Sequence, residues 1–134
     1  MISALVLSSF LAVPVDRVID GDTFTVNIPG VPEVLGADLG VRITGIDTAE
    51  LTSKTKCLKQ RANVAKEALT LLIDDQLVDL HFCFRDKFYR INCSVMANRD
   101  IDVGNFMLDS SFAVPYSGGK KPKLKCTELA DRVW

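Results

Sequence analysis

The stretch "VDRVIDGDTFTVNI" (Val15–Ile28) sets the expected fold, because it holds two apolar runs separated by an Asp-Gly turn. Alternating apolar residues around Asp-Gly are a strong short-range signal for a β-hairpin. A second stretch, "VRITGIDTAE" (Val41–Glu50), adds a third strand that ends at an aspartate and a glutamate. Together the two stretches predict three consecutive strands with carboxylates at their ends.

The remainder of the chain predicts one long helix followed by two more strands. Apolar residues from Cys57 to Ile73 recur with helical spacing, which predicts an amphipathic helix. "QLVDLHFCF" and "YRINCSVMA" are typical of strands, "VGNFMLDSS" of a short helix, "CTELADRVW" of a last helical turn, and "PGVPEVLGADLG" of a loop. We therefore predict a mainly β, α+β domain: a five-stranded OB-fold barrel with about three helices. A lone sheet with helices on one face is the alternative.

Size and charge fit one globular domain. The chain has 134 residues, of which 48% are hydrophobic, and sixteen basic against seventeen acidic residues leave a net charge of -1. This balance argues against a protein held to nucleic acid mainly by bulk positive charge. A local cluster of lysines still occurs near the end of the chain, at Lys120, Lys121, Lys123 and Lys125. It either attracts a nucleic-acid strand or forms a solvated loop.

The apolar N-terminus and the cysteines leave two questions open. Residues 1–12 fit either a secretory signal or a first strand, with residues 13–134 as the domain, and this run is too short to span a membrane. Cys83 and Cys93 lie in apolar strand-like runs, so we predict free buried thiols there. Cys57 and Cys126 have polar neighbours and are the better candidates for a disulfide. Such a disulfide would favour a secreted or periplasmic location over a cytoplasmic one.

Carboxylates near the ends of the first three strands indicate a cation site. Asp20 and Asp22 flank the hairpin glycine, and Asp47 and Glu50 end the third strand. Converging carboxylates stay ionised only with a cation between them, and oxygen ligands suit calcium or magnesium. Singly, each acid also has an ordinary explanation as a turn former, a cap or a solvated charge.

Two arginines in strand-like runs need either solvent or a partner. Arg42 lies among apolar neighbours in "VRITGI", and Arg90 has the same setting in "YRINCSV". A guanidinium offers a planar fork of donors that suits a phosphate group. Arginines beside a carboxylate-bound cation are what phosphodiester cleavage requires, because negative charge builds on the phosphoryl oxygens.

These motifs resemble the staphylococcal nuclease (thermonuclease) family. "VIDGDT", "VRITGIDTAE" and "RDKFYR" occur in that family's order and approximate spacing, with a helix between the second and third. "FAVPYSGGKK" is similar to a closing segment of bacterial members, so the resemblance covers about residues 13 to 121.

The resemblance implies a role for each matching residue. Calcium would be held by the carboxylates of Asp22 and Asp47 and by the backbone carbonyl of Thr48. Glu50 would act on the attacking water, and the two arginines, Arg42 and Arg90, would bind the phosphate. Asp20 matches an acid near the metal that is not a ligand. The looser matches imply substrate contacts for Lys87 and Tyr116.

The activity implied is calcium-dependent hydrolysis of DNA and RNA with little sequence specificity, leaving 3'-phosphate ends. The protein would be a monomer without a stable protein partner or a membrane span. The alternative is a non-catalytic nucleic-acid- or protein-binding module of the same fold. Three positions depart from the family pattern: Ala49 replaces a common proline, Phe88 a common tyrosine and Tyr89 a common glycine.

Overall fold

A computed structural model describes residues 8–87 and 89–134. Within these residues there are eight strands: β1 Ser8–Val18, β2 Thr23–Val26, β3 Leu39–Ile43, β4 Ile46–Asp47, β5 Leu77–Lys87, β6 Arg90–Ala97, β7 Ile101–Asp102 and β8 Val114–Pro115. Of these, β1, β2, β3, β5 and β6 form the body of the molecule. The helices are α1 Glu33–Gly36, α2 Lys56–Ile73 and α3 Val103–Asp109, and a 3-10 turn spans Cys126–Glu128.

The sheet closes into a barrel. Its antiparallel order is β3-β2-β1-β5-β6, and β3 also pairs with β6 in parallel from Gly40 opposite Arg90 to Ile43 opposite Cys93. That last pairing joins the two edges of the sheet, so the predicted five-stranded OB-like barrel with three helices is confirmed. The open-sheet alternative is wrong, because closure satisfies both edges.

The barrel interior and one face of α2 form a single apolar core. Alternate residues of the strands point inward, as Val13, Phe24, Val41, Leu80 and Val95 do, and all five are fully buried. The helix contributes four small or branched side chains to this core: Ala65, Ala68, Leu69 and Ile73. Burial of this surface is the main force that holds the barrel shut.

Three predicted elements differ from the structure in length or type. The Gly- and Pro-rich segment between β2 and β3 contains the single turn α1, in which the Gly36 N–H donates to the carbonyl of Pro32 at 3.0 Å. Pro32 is the N-cap of this turn and has an extended backbone, with φ -56° and ψ 141°. The predicted last helix is only the 3-10 turn Cys126–Glu128. Ser8–Ala12 belong to β1, whereas residues 1–7 lie outside the described residues.

The cysteine prediction is half wrong. Cys83 and Cys93 are not free thiols but form a disulfide, because pairing of β5 with β6 brings their Cα atoms to 4.3 Å. Cys57 and Cys126 form the second disulfide, across 69 residues of sequence. That disulfide fixes the start of α2 to the 3-10 turn.

Removal of the long-range disulfide should destabilise the fold. The Cys57→Ser/Cys126→Ser double variant should lose about 2–4 kcal/mol of unfolding free energy, because reopening a 69-residue loop restores entropy to the unfolded chain. Urea denaturation of the oxidised proteins measures the difference. A double variant as stable as the wild type would contradict this expectation.

No helix within residues 8–87 and 89–134 combines the length and the apolar character needed to cross a lipid bilayer.

Candidate functional site

The hairpin turn after β1 is pressed against α2 and the turn after β4. A Cβ atom on Gly21 would lie 2.6 Å from the Ala65 Cβ and 3.0 Å from the Thr48 Cγ2. Glycine is therefore required here for a close approach. The N–H of Asp22 donates to Asp20 Oδ1 at 3.0 Å, which orders the two carboxylates within the turn.

Asp47 and Thr48 meet Asp22 from the neighbouring segment. The two-residue strand β4 pairs with β8, Asp47 lying opposite Val114. The Thr48 N–H donates to Asp22 Oδ2 at 3.3 Å, and the Thr23 hydroxyl donates to Asp22 Oδ1 at 2.9 Å. All of these residues are buried. The chain thus brings two buried carboxylates to one place, as predicted.

Arg42 lies between the two carboxylates. Its Nη2 atom is 3.5 Å from Asp22 Oδ2 and 3.5 Å from Asp47 Oδ1, and the residue is only 8% exposed. Within the described residues, Nη2 is buried without a hydrogen-bond partner, as is Oδ1 of Asn92, the residue opposite Arg42 in the ladder. Buried polar atoms of this kind are costly unless a ligand or water completes them.

The carboxylates of Asp20 and Asp47 both have raised pKa values. Burial raises the pKa of Asp20 to about 7, with further contributions from the charge of Asp22 and a side-chain hydrogen bond to it. Burial also raises the pKa of Asp47, although Lys121 opposes the shift. Both carboxylates are thus less stable in their charged form than in water, which favours a cation beside them.

Asp20→Asn should reveal the raised pKa of Asp20 as a pH-dependent gain in stability. Because the folded-state pKa of Asp20, about 7, lies above its ordinary value of 3.8, the folded protein binds more protons at Asp20 than the unfolded chain does at pH values between the two. Its contribution to stability therefore falls as pH rises through that window. With metal chelated, the variant should gain roughly 1–3 kcal/mol relative to wild type between about pH 5 and about pH 8. Urea denaturation at both pH values measures it, and a difference that does not change with pH would contradict it.

Glu50 lies at the rim of this cluster. Its side chain is 65% exposed, and its Oε1 atom is 3.7 Å from Lys121 Nζ. The turn that carries it is held by Ala49, which is buried against Ala62, Val114 and Leu129. Packing of Ala49 thus supports the turn that carries Glu50.

Arg90 is the first residue of β6, and it lines the same cavity as Asp22 and Asp47. Its guanidinium forms an ion pair with Asp86. Within the described residues, the Arg90 guanidinium forms no ion pair with Asp22 or Asp47. A cavity of about 300 Å³ nevertheless brings all six predicted metal and catalytic residues together: Asp22, Arg42, Asp47, Thr48, Glu50 and Arg90.

The two predicted substrate-contact residues line a larger cleft of about 970 Å³ beside that cavity. Lys87 ends β5, and the Tyr116 ring lies 5.2 Å from Cζ of Arg42. Phe84, which the sequence analysis did not single out, lies in the same cleft and is 46% exposed. An exposed aromatic ring beside cationic side chains offers a surface on which a base can stack.

Lys121 also reaches the site, although the sequence placed it only in a basic tail. Its Nζ atom is 3.8 Å from Asp47 Oδ1 and 3.7 Å from Glu50 Oε1. Asp47 lies opposite Val114 in the β4–β8 pair, so the segment after β8 starts beside the carboxylates. That pairing is non-local and was not readable from the sequence.

Tyr89 directly precedes Arg90, in the turn between β5 and β6. Tyr89 has a φ of 61°, a region that favours glycine. Its hydroxyl donates to the carbonyl of Ala37 at 2.8 Å and lies 3.1 Å from the carbonyl of Val34, so the side chain connects this turn to α1. Phe88 lies outside the described residues.

The donor set fits a hard cation. In residues 8–87 and 89–134 no group of three or more His, Cys, Asp or Glu side chains is arranged as a metal cluster. A calcium site does not need such a cluster, because calcium accepts carbonyl and water oxygens as well as carboxylates. Asp22, Asp47 and the backbone carbonyl of Thr48 are ligands of these types. Burial raises the pKa of Asp47, and a cation bound beside this carboxylate would oppose that shift.

Comparison with known proteins adds no family: no protein-family model matches the chain, and no curated protein matches it significantly. The class that the fold defines is therefore a small OB-like α+β barrel. Its most distinctive local feature is a carboxylate and arginine cavity that opens beside a larger cleft.

Proposed function

We propose that the protein is a calcium-dependent nuclease that hydrolyses phosphodiester bonds of DNA and RNA with little sequence specificity. The observation that carries the proposal is the cavity lined by two buried carboxylates, a rim glutamate and two arginines. The resemblance of the three motifs to the staphylococcal nuclease family supports it independently of the geometry.

The charge distribution supports a phosphate substrate. Arg42 and Arg90 line both the small cavity and the larger cleft, so one anion at their boundary could contact both guanidinium groups. A guanidinium donates two parallel hydrogen bonds to a phosphate. Lys87 and Tyr116 in the cleft are suited to contact the neighbouring nucleotides.

The roles follow from the chemistry of each group. Calcium, held by Asp22, Asp47 and the carbonyl of Thr48, would supply positive charge beside the phosphoryl oxygens. Glu50 accepts the proton of a water molecule whose oxygen bonds to phosphorus. The bond from phosphorus to the 5'-oxygen breaks, the 5'-oxygen takes a proton from solvent and leaves as a hydroxyl, and a 3'-phosphate end remains. The two arginines stabilise the charge that develops on the phosphoryl oxygens.

Two disulfides support a secreted or periplasmic site of action, because such bonds persist in oxidising compartments. Phosphodiester hydrolysis without sequence specificity needs no partner protein. A monomer acting directly on DNA and RNA is therefore part of the proposal.

The alternative, a non-catalytic nucleic-acid- or protein-binding module, has one observation in its favour. The carboxylates of Asp47 and Glu50 already face a cation, Lys121. A site adapted only to bind would keep such internal pairs and have no use for calcium.

One experiment separates the two functions. Pure oxidised protein is incubated with single-stranded DNA and with RNA, in calcium and in chelator, and the products are resolved by length and by end group. The proposal predicts fragments with 3'-phosphate ends in calcium and intact substrate in chelator. Binding of the oligonucleotide without cleavage in calcium would favour the module and contradict the nuclease.

A further inference from the structure

Lys121 occupies the boundary between the small cavity and the larger cleft. Of the described residues, three line both spaces, and all three are cations: Arg42, Arg90 and Lys121. Arg42 is fixed by burial among its neighbours, and Arg90 is paired with Asp86. Lys121 is half exposed and faces the carboxylates of Asp47 and Glu50.

The segment that carries Lys121 is anchored at one end and bends sharply in the middle. The Tyr116 N–H donates to the carbonyl of Gly45 at 2.9 Å, and its hydroxyl donates to the carbonyl of Gly119 at 2.6 Å. Gly118 and Gly119 both have positive φ, 100° and 76°, which only glycine adopts readily. This bend returns the chain over the cavity and directs Lys121 toward it.

The contacts of Lys121 are those of a displaceable cation. Its Nζ atom lies 3.7 and 3.8 Å from the two carboxylate oxygens, beyond hydrogen-bond distance, and the ammonium remains in contact with solvent. Ion pairs of this kind are weak. The lysine side chain is a flexible stem with a point charge at its end, so it can move between partners without a change of fold.

We infer that Lys121 is a substrate-binding residue that competes with the divalent cation for Asp47 and Glu50; this inference rests on the proposed nuclease function. Without metal, its ammonium balances the carboxylates. When the calcium site fills, the ammonium withdraws toward the larger cleft and pairs with a phosphate of the bound strand. Lys121 thereby links calcium binding in the small cavity to the positive charge that the larger cleft presents to the strand.

The inference predicts opposite effects of one substitution on the two ligands. Lys121→Met keeps the length of the side chain but removes its charge. Calcium binding, measured by calorimetry on the intact protein without nucleic acid, should tighten by about three- to tenfold, because the competing charge is gone. The KM for an oligothymidylate should rise by about three- to tenfold, with a smaller change in kcat, because a phosphate contact is lost.

Lys123→Met is the matched control. Lys123 is exposed in the same segment and lines neither space, but its loss changes the net charge equally. For this variant, both the calcium Kd and the KM should stay within about twofold of wild type, since distant exposed charges are screened. Thermal unfolding of both variants verifies that they are folded.

The possible outcomes distinguish failure of the inference about Lys121 from failure of the proposed nuclease function. Suppose that wild type binds calcium and cleaves DNA, but that Lys121→Met and Lys123→Met have the same calcium Kd. The competition between Lys121 and calcium is then contradicted, while the proposed nuclease function stands. Tighter calcium binding with an unchanged KM overturns the substrate contact. If wild type neither binds calcium at millimolar concentration nor cleaves, the proposed function fails and the inference fails with it.

Discussion

Replacement of Glu50 by glutamine should lower the rate of phosphodiester cleavage by about 10²- to 10⁴-fold, the usual contribution of a general base. Glu50 is suited to this role because it lies at the rim of the carboxylate cavity and is 65% exposed, so a water molecule can reach it. Glutamine keeps the shape and one oxygen but cannot accept the proton. The loss should fall on kcat, which is why the rates are compared at saturating calcium.

Glu67→Gln provides the control for this measurement. Glu67 is exposed on α2 and lines neither the cavity nor the cleft, so the same change of charge should leave kcat within about twofold of wild type. Cleavage rates are compared at saturating calcium and substrate. A Glu50→Gln enzyme that retains more than a tenth of the wild-type kcat would contradict the general-base role.

The barrel could be predicted because its signals are local. Period-two alternation around "DGD" and the helical period from Cys57 to Ile73 specify elements within a few residues of themselves. The parallel pairing of β3 with β6 that closes the sheet joins residues about fifty positions apart. It was expected only because an OB barrel requires closure, not because any residue in either strand indicates its partner.

The acidic residues that meet at the site could be predicted from the sequence, but the contacts that Lys121 makes with them could not. The acids of the two turns had to converge once β2 and β3 were neighbours. The ion pairs of Lys121 depend on how a glycine-rich segment returns over the cavity, which no periodicity encodes. The Cys83–Cys93 disulfide was missed for a related reason: apolar neighbours indicate burial, but the distance between two thiols depends on strand register.

Replacement of Arg42 by lysine should lower kcat/KM by at least about 10²-fold while the barrel remains folded. Lysine retains a positive charge between Asp22 and Asp47, so those buried carboxylates keep a counter-charge. A neutral residue would leave them unpaired and cost about 3–5 kcal/mol of stability, which would confuse a catalytic loss with unfolding. Lysine removes the planar fork alone.

The physical basis of this loss is the direction of the donors. Arg42 is buried, and its Nη2 atom has no hydrogen-bond partner within the described residues, although it lies 3.5 Å from a carboxylate oxygen of Asp22 and of Asp47. This donor is therefore beside the cavity without a hydrogen bond to lose. A lysine ammonium can balance the carboxylates, but it cannot also present two parallel donors to a phosphate. Arg85→Lys is the control, because Arg85 is exposed on β5 and lines neither space. If Arg42→Lys and Arg85→Lys cleave at similar rates, Arg42 serves only to balance Asp22 and Asp47, and phosphate binding must be assigned to Arg90.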